Sequence, residues 1–363
     1  MEATVFNPDS TTAGGLRERL DVAPVICAEG YLFEFERRGY VQAGAFVPEV
    51  VLEHPDLVAG LHHEFVHAGS DVVQAFTYYA HREKLRLLGK EHLLEAMNRQ
   101  ALGIAQFTEP ENRPTTPPFP PPKTGTLLAG DICNTNLFTG PESVDTVRAM
   151  FEEQVAWAVQ EGVDFIVGET FAFAEEAVVA AEVIRAAGLP SVITLAIHRS
   201  PTTRDGFTPA EACKRIENAG ADVVGLNCIR GPRTMLPLIG DIRRSVDCHV
   251  AALPVPYRTH EHEPSFQSLT DPLAPDCRPF PTALDPFTCN RYEIADFTRE
   301  AAELGVRYFG LCCGAGPHHI RAMAEALGRI PQASRFSPDM SKHAYFGTDA
   351  KLKDENRAYA KQL

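Results

Sequence analysis

The chain has 363 residues, 44% of them hydrophobic and 23% charged, with a net charge of -14. That is ample for one large core, and an acidic chain without a Lys/Arg-rich run offers no basic patch for nucleic acid. Residues 1–17 lack an apolar signal core and the longest apolar runs are strand-length, so a cytoplasmic protein with no membrane partner is expected.

One phrase recurs along the chain. Ala68-Gly69-Ser70-Asp71, Glu161-Gly162-Val163-Asp164, Ala219-Gly220-Ala221-Asp222 and Leu304-Gly305-Val306-Arg307 each close a helical pattern and open a short apolar run. Glycine suits the left-handed residue after a helix, and the apolar run suits a strand buried on both faces. In chain order, strand patterns fall at residues 25–29, 71–78, 126–132, 164–171, 191–197, 222–228, 249–255 and 308–313. Helical patterns fall at 48–67, 83–107, 142–160, 175–187, 209–219, 232–245, 293–304 and 317–327. Several open on a proline, whose missing N–H costs nothing in a first turn. Eight such units without a Gly-rich phosphate loop after the first strand predict a single (β/α)8 TIM barrel rather than an open doubly wound sheet.

The barrel domain is expected over residues 1–328, followed by a polar tail at 329–363 with a terminal helix at 349–361. A Pro/Thr-rich stretch at 109–123 reads as an extended surface loop. Residues 258–291 form a long irregular insertion after the seventh strand, on the face where barrels build active sites, and read as a lid or a surface insertion.

Nine cysteines in a reducing compartment do not imply a disulfide framework. Cys228 ends the sixth strand, and Cys312 and Cys313 end the eighth, so three thiols converge on the mouth of the barrel. Zinc favours thiolates in a tetrahedron, and three protein ligands leave one position open. The segment Gly314-Ala315-Gly316-Pro317 starts a helix directly after the pair, and a helix N-terminus favours thiolate by about 0.3–1 kcal/mol. A lone cysteine is more often a buried small hydrophobe. An adjacent pair with a third thiol at another strand end reverses that balance.

The segments Arg37-Arg38-Gly39-Tyr40-Val41-Gln42-Ala43-Gly44, Phe76-Thr77-Tyr78-Tyr79-Ala80, Val224-Gly225-Leu226-Asn227-Cys228 and 304–314 carry a further signal. Through them the chain, from about residue 16 to 327, resembles the homocysteine S-methyltransferase family, and within it the betaine-using branch. The resemblance implies a zinc-dependent enzyme that moves a methyl group from a small methylated onium donor to homocysteine, giving methionine. It implies Zn2+ on Cys228, Cys312 and Cys313, Glu169 on the ammonium of homocysteine, and Tyr79 near the metal and the donor. The family's Asp-Gly-Gly after the first strand is Ala28-Glu29-Gly30 here, so Glu29 and Gly30 are expected to take over that grip. Thr170 replaces an aromatic residue, Phe46 a tryptophan and Leu311 a glycine, and the arm used for dimer packing is shorter, leaving a homo-oligomer open.

A quaternary ammonium needs aromatic faces, which Tyr31, Phe46, Phe76 and Tyr79 could supply; a sulfonium donor suits the same cage. A zinc hydrolase and a non-catalytic zinc-binding partner are the remaining readings. His62, His63 and His67 read as a solvated helix face and residues 260–263 as polar surface. Cys27, Cys133, Cys213, Cys248, Cys277 and Cys289 read as structural or incidental, and Trp157 as core.

Overall fold

The glycines of the repeated phrase all close helices in the left-handed region: φ is 114° at Gly69, 73° at Gly162, 105° at Gly220 and 88° at Gly305. Only a residue without Cβ adopts this conformation at little cost, so the repeat fixes where each helix stops and each strand starts. The computed structural model describes residues 14–106 and 125–363; the Pro/Thr-rich stretch 109–123 lies outside them.

The strands are β1 (Val25–Ala28), β2 (Val72–Gln74), β3 (Leu127–Cys133), β4 (Phe165–Phe171), β5 (Ser191–Leu195), β6 (Val223–Asn227), β7 (His249–Leu253) and β8 (Tyr308–Leu311). They pair in parallel in sequence order, and β8 closes on β1 with Cys27 opposite Gly310. The expected (β/α)8 barrel is the observed fold. Before and after the first strand lie α1 (Leu16–Val22), α2 (Tyr31–Arg37), α3 (Val50–Glu53) and α4 (Pro55–Ala68). The next are α5 (Arg82–Leu87), α6 (Leu94–Gln106), α7 (Val144–Gln160) and α8 (Ala174–Ala186). The ring is completed by α9 (Pro209–Asn218), α10 (Pro232–Ser245), α11 (Arg291–Glu303) and α12 (Pro317–Ala326), and α13 (Asp354–Ala360) lies in the tail.

Several elements differ from the sequence expectation. The pattern at 48–67 splits at His54, because Pro55 can start a helix but not continue one. The pattern at 83–107 splits after Leu87, where Gly89 turns at φ 68°. The strand expected to Tyr78 stops at Gln74, and the chain then turns, Thr77 N–H donating to Ala75 O. Neither α1 nor α2 was anticipated. Leu16 and Leu20 of α1 are fully buried with Val25, Val72, Leu127, Phe165 and Tyr308, closing the lower end of the barrel.

The insertion 258–291 is a packed wall of the mouth. Phe266 and Phe280 pack with each other and against Phe33 of α2, and Asp285 pairs with Arg37 at 3.4 Å. The tail returns along α4, where His67 meets Gln332 and Arg329 binds Asp71. No described helix is long and apolar enough to cross a membrane.

Candidate metal centre and substrate pocket

Two strand ends deliver the thiols. β6 ends at Asn227, and the next residues, Cys228 and Ile229, take φ of 55° and 56°, a conformation that costs a non-glycine residue about 1–2 kcal/mol. The turn is held by Cys228 N–H donating to Leu253 O at 2.9 Å. After β8, Cys312 N–H donates to Pro254 O at 3.0 Å, and Gly314 turns at φ 93° to lead into α12. The Sγ atoms of Cys228, Cys312 and Cys313 lie within 4.8 Å of one another. Hydrogen bonds from Cys312 and Cys313 hold the Cys228 thiol well below the usual range, and the same bonds push the two donors up. Three sulfurs so placed form a donor set that fits a soft or borderline cation such as zinc.

Below the thiols the barrel interior is acidic. Glu169, inside β4, accepts from Gln74 Nε2 at 3.0 Å and from Asn227 Nδ2 at 2.8 Å. Asn227 Nδ2 also faces Glu29 Oε2 at 3.5 Å and Cys312 Sγ at 3.9 Å, while its Oδ1 accepts from Thr170 N–H at 2.9 Å. Glu29 Oε1 and both oxygens of Asp131 are buried without a hydrogen-bond partner among the described residues. Burial, followed by the neighbouring Cys228, pushes the Glu169 carboxyl up to about 8. Burial and then Glu169 push Glu29 and Asp131 well above the carboxylate range.

These groups surround a small cavity whose lining includes Glu29, Asp131, Glu169, Thr170, Cys312 and Cys313. Among the described residues no basic side chain lines it; Tyr31, Phe76 and Tyr78 supply its aromatic faces. An enclosed acidic pocket with aromatic walls suits a compact cation.

The residues expected at the site are distributed unevenly. Glu29, Glu169 and Thr170 line the cavity beside two of the three cysteines. Gly30 caps α2, and a Cβ there would overlap the backbone carbonyl of Ala315, so glycine lets β1 and the start of α12 approach. Tyr79, at φ 60°, stands outside the lining with Lys84 Nζ 4.5 Å from its ring centre, and Tyr78 occupies the wall instead. Phe46 stacks on Phe33 at 5.8 Å, away from the lining.

His62 corrects the expectation of a solvated helix face. It shares the buried stripe of Val58, Leu61 and Phe65, its Nδ1 meets Tyr31 Oη at 2.9 Å, and burial lowers it to about 3. It is a neutral core residue that holds a wall residue of the cavity. Trp157 is half-buried against the core, and His260 and His262 are exposed.

Gln74, Asp131 and Asn227 were not singled out as site residues. The signal was present for Asp131: alternation along β3 puts Ala129, Asp131 and Cys133 on one face. A carboxylate flanked by inward residues of a barrel strand has nowhere to go but the interior.

Residues 29–327 match the family model described as homocysteine S-methyltransferase. Betaine–homocysteine S-methyltransferase 1 of Xenopus tropicalis is 35% identical over 349 residues, covering 93% of this chain and 81% of that protein. S-methylmethionine–homocysteine S-methyltransferase of Mus musculus is 34% identical over 341 residues, covering 92% and 86%. The metallated form of the Escherichia coli homocysteine methyltransferase MmuM shares the fold, with a TM-score of 0.65 at 18% identity over 85% of this chain and 99% of that one. On the family match and these identities, the chain belongs to the homocysteine S-methyltransferase family.

Proposed function

We propose that the chain is a zinc-dependent methyltransferase that moves a methyl group from a small onium donor to homocysteine, giving methionine. The observation that carries this is the meeting of three thiols with Glu29 and Glu169 beside one enclosed cavity. Cys228, Cys312 and Cys313 would hold the metal; zinc bound there supplies a nucleophilic sulfur by keeping the acceptor thiol deprotonated near neutral pH. Glu169, oriented by Gln74 and Asn227, would take the acceptor's ammonium, with Glu29 beside it. The cavity walls exclude water and align the sulfur with the methyl group, which is where most of the rate gain of such a transfer arises.

The donor's cation would rest against the aromatic walls of the cavity, Tyr31, Phe76 and Tyr78. A betaine is the first reading and a sulfonium the second, because relatives named for each donor stand at 35% and 34% identity. Residues 1–328 would form the catalytic unit and 329–363 its tail. The test is a mass-spectrometric assay of the purified protein with homocysteine and a panel of betaines and sulfoniums. Methionine formed with one class names the donor; none with any donor would sink the reading.

A further inference from the structure

We infer that Asp131 is a further carboxylate of the acceptor's ammonium seat, one that sorts the two cationic substrates by whether they carry N–H groups. The inference rests on the reaction proposed above and adds to it a residue and a rule of selection.

Asp131 lines the cavity, is 5% exposed, and has both carboxylate oxygens unpartnered among the described residues. Its backbone is fixed. β3 turns Ala129, Asp131 and Cys133 to one side, and Asp131 O accepts from Thr77 Oγ1 at 2.7 Å. On the adjoining β4 its Cα partner is Val167, two residues before Glu169, so the two acids reach one cavity from neighbouring strands. A buried carboxylate without a donor is unfavourable unless a cation meets it, and among the described residues no basic side chain lines the cavity. The cation that meets Asp131 therefore has to arrive with a substrate.

Two substrate cations are available, and they differ in one respect. The acceptor's ammonium carries three N–H donors, whereas a quaternary ammonium or a sulfonium carries none. Glu169 already has both oxygens engaged, Oε1 by Gln74 and Oε2 by Asn227, so it cannot absorb all three donors. Glu29 and Glu169 each place an oxygen within 4.8 Å of Cys312 Sγ, while Asp131 joins no such group. With the acceptor's sulfur at the thiols, its nitrogen lies four bonds away, toward the acid that the thiol cluster leaves out. There it supplies the hydrogen bonds that Asp131 lacks. An onium in the same place would leave both oxygens bare. A site built around hydrogen-bond donors rejects an analogue without them far more strongly than an apolar pocket rejects a misfit. The aromatic walls are left for the onium, which needs faces rather than acceptors.

The experiment compares homocysteine with its desamino analogue, by calorimetric titration into zinc-loaded wild type, Asp131→Asn and Asp131→Ala. The wild type should prefer homocysteine. Both variants should lose about 10- to 150-fold of homocysteine affinity, the range for a hydrogen bond to a charged group, and bind the desamino thiol at least as well as the wild type. The preference is the readout, since a change that only loosened the cavity would weaken both thiols alike. An unchanged preference in both variants overturns the proposal. A second measurement needs no variant. Methylammonium should compete with homocysteine for the wild type and tetramethylammonium should not; equal competition by the two overturns the sorting. Wild type that prefers homocysteine, with variants that keep the preference, refutes the Asp131 assignment alone. Wild type that binds homocysteine through its amine yet forms no methionine refutes the reaction and leaves the seat standing, and wild type that binds no homocysteine refutes both.

Discussion

Replacing Glu169 by glutamine keeps the side chain's shape and removes its charge at the centre of the proposed acceptor site. Gln74 Nε2 and Asn227 Nδ2 both donate to this carboxylate, at 3.0 and 2.8 Å. A glutamine can accept from one of them, leaving the other donor facing an NH2 group. Two losses follow. The substrate's ammonium loses a charge-assisted contact, about 1.5–3 kcal/mol, which weakens homocysteine roughly 10- to 150-fold. The displaced donor lowers stability by about 1–3 kcal/mol. The zinc content should stay intact, because Glu169 is no ligand in this scheme. The pH profile gives a second readout. Burial holds the Glu169 carboxyl above the usual range, and an ammonium must draw out its charged form, so affinity should rise with pH. Glu169→Gln should lose the carboxyl's part of this slope and keep the part that comes from the proton released by the thiol. The shift also bears on stability: with the folded value above the ordinary 4.5, the metal-free protein keeps the carboxyl's full contribution below 4.5 and loses it as pH rises through about 8. Calorimetric titration of homocysteine into the zinc-loaded proteins across a range of pH measures affinity and slope together. Equal affinity and equal slope in wild type and variant would refute the assignment of Glu169 to the ammonium. If Glu29→Ala also binds normally, the acceptor is not homocysteine.

Two further predictions concern the metal and the backbone that presents it. Cys228→Ser, Cys312→Ser and Cys313→Ser should each lose zinc and methyl transfer together, measured by elemental analysis and the methionine assay; full zinc in the Cys312 and Cys313 variants would place the metal elsewhere. Gly314→Ala should lower the melting temperature and loosen zinc, because φ there is 93° and an added Cβ would overlap Tyr257 Oη, which Arg37 holds at 2.8 Å. The conformation alone costs about 1–2 kcal/mol and the overlap about 1–3 more. A variant as stable as the wild type would show that Tyr257 yields.

The barrel was legible because its punctuation is chemical. Gly69, Gly162, Gly220 and Gly305 mark helix ends that only a left-handed residue can make, and the thiols at 228, 312 and 313 fall where strands end. Less legible was whatever depends on which way a short segment faces. Tyr31–Arg37 is a helix dense in aromatics, and its Tyr31 was read as one free ring among four rather than as part of a buried stack with Phe76 at 5.6 Å. His62 looked solvated because histidine is polar, although Val58, Leu61 and Phe65 placed it on the buried stripe. Tyr78 and Tyr79 are neighbours, so a one-residue shift decides which ring reaches the cavity; the left-handed turn at Tyr79 makes that choice, and residue types do not announce it. The acidic floor was half seen: Glu29 and Glu169 end or lie within strands, but Asp131 needed the inward alternation of β3 to be followed through.

The plug formed by α1 gives the barrel a top and no bottom. Leu16 and Leu20 seal the lower end among the first residues of the strands, so everything that reaches the pocket passes the same opening. A single passage imposes a queue. Were the acceptor held against Glu169 and the donor nearer the opening, the acceptor would have to enter first, and a donor that arrived early would stand in its way. Departure would run in reverse, the spent donor leaving before the methylated thiol. The order of the reaction would then be set far from the chemistry, by two leucines at the closed end of the barrel.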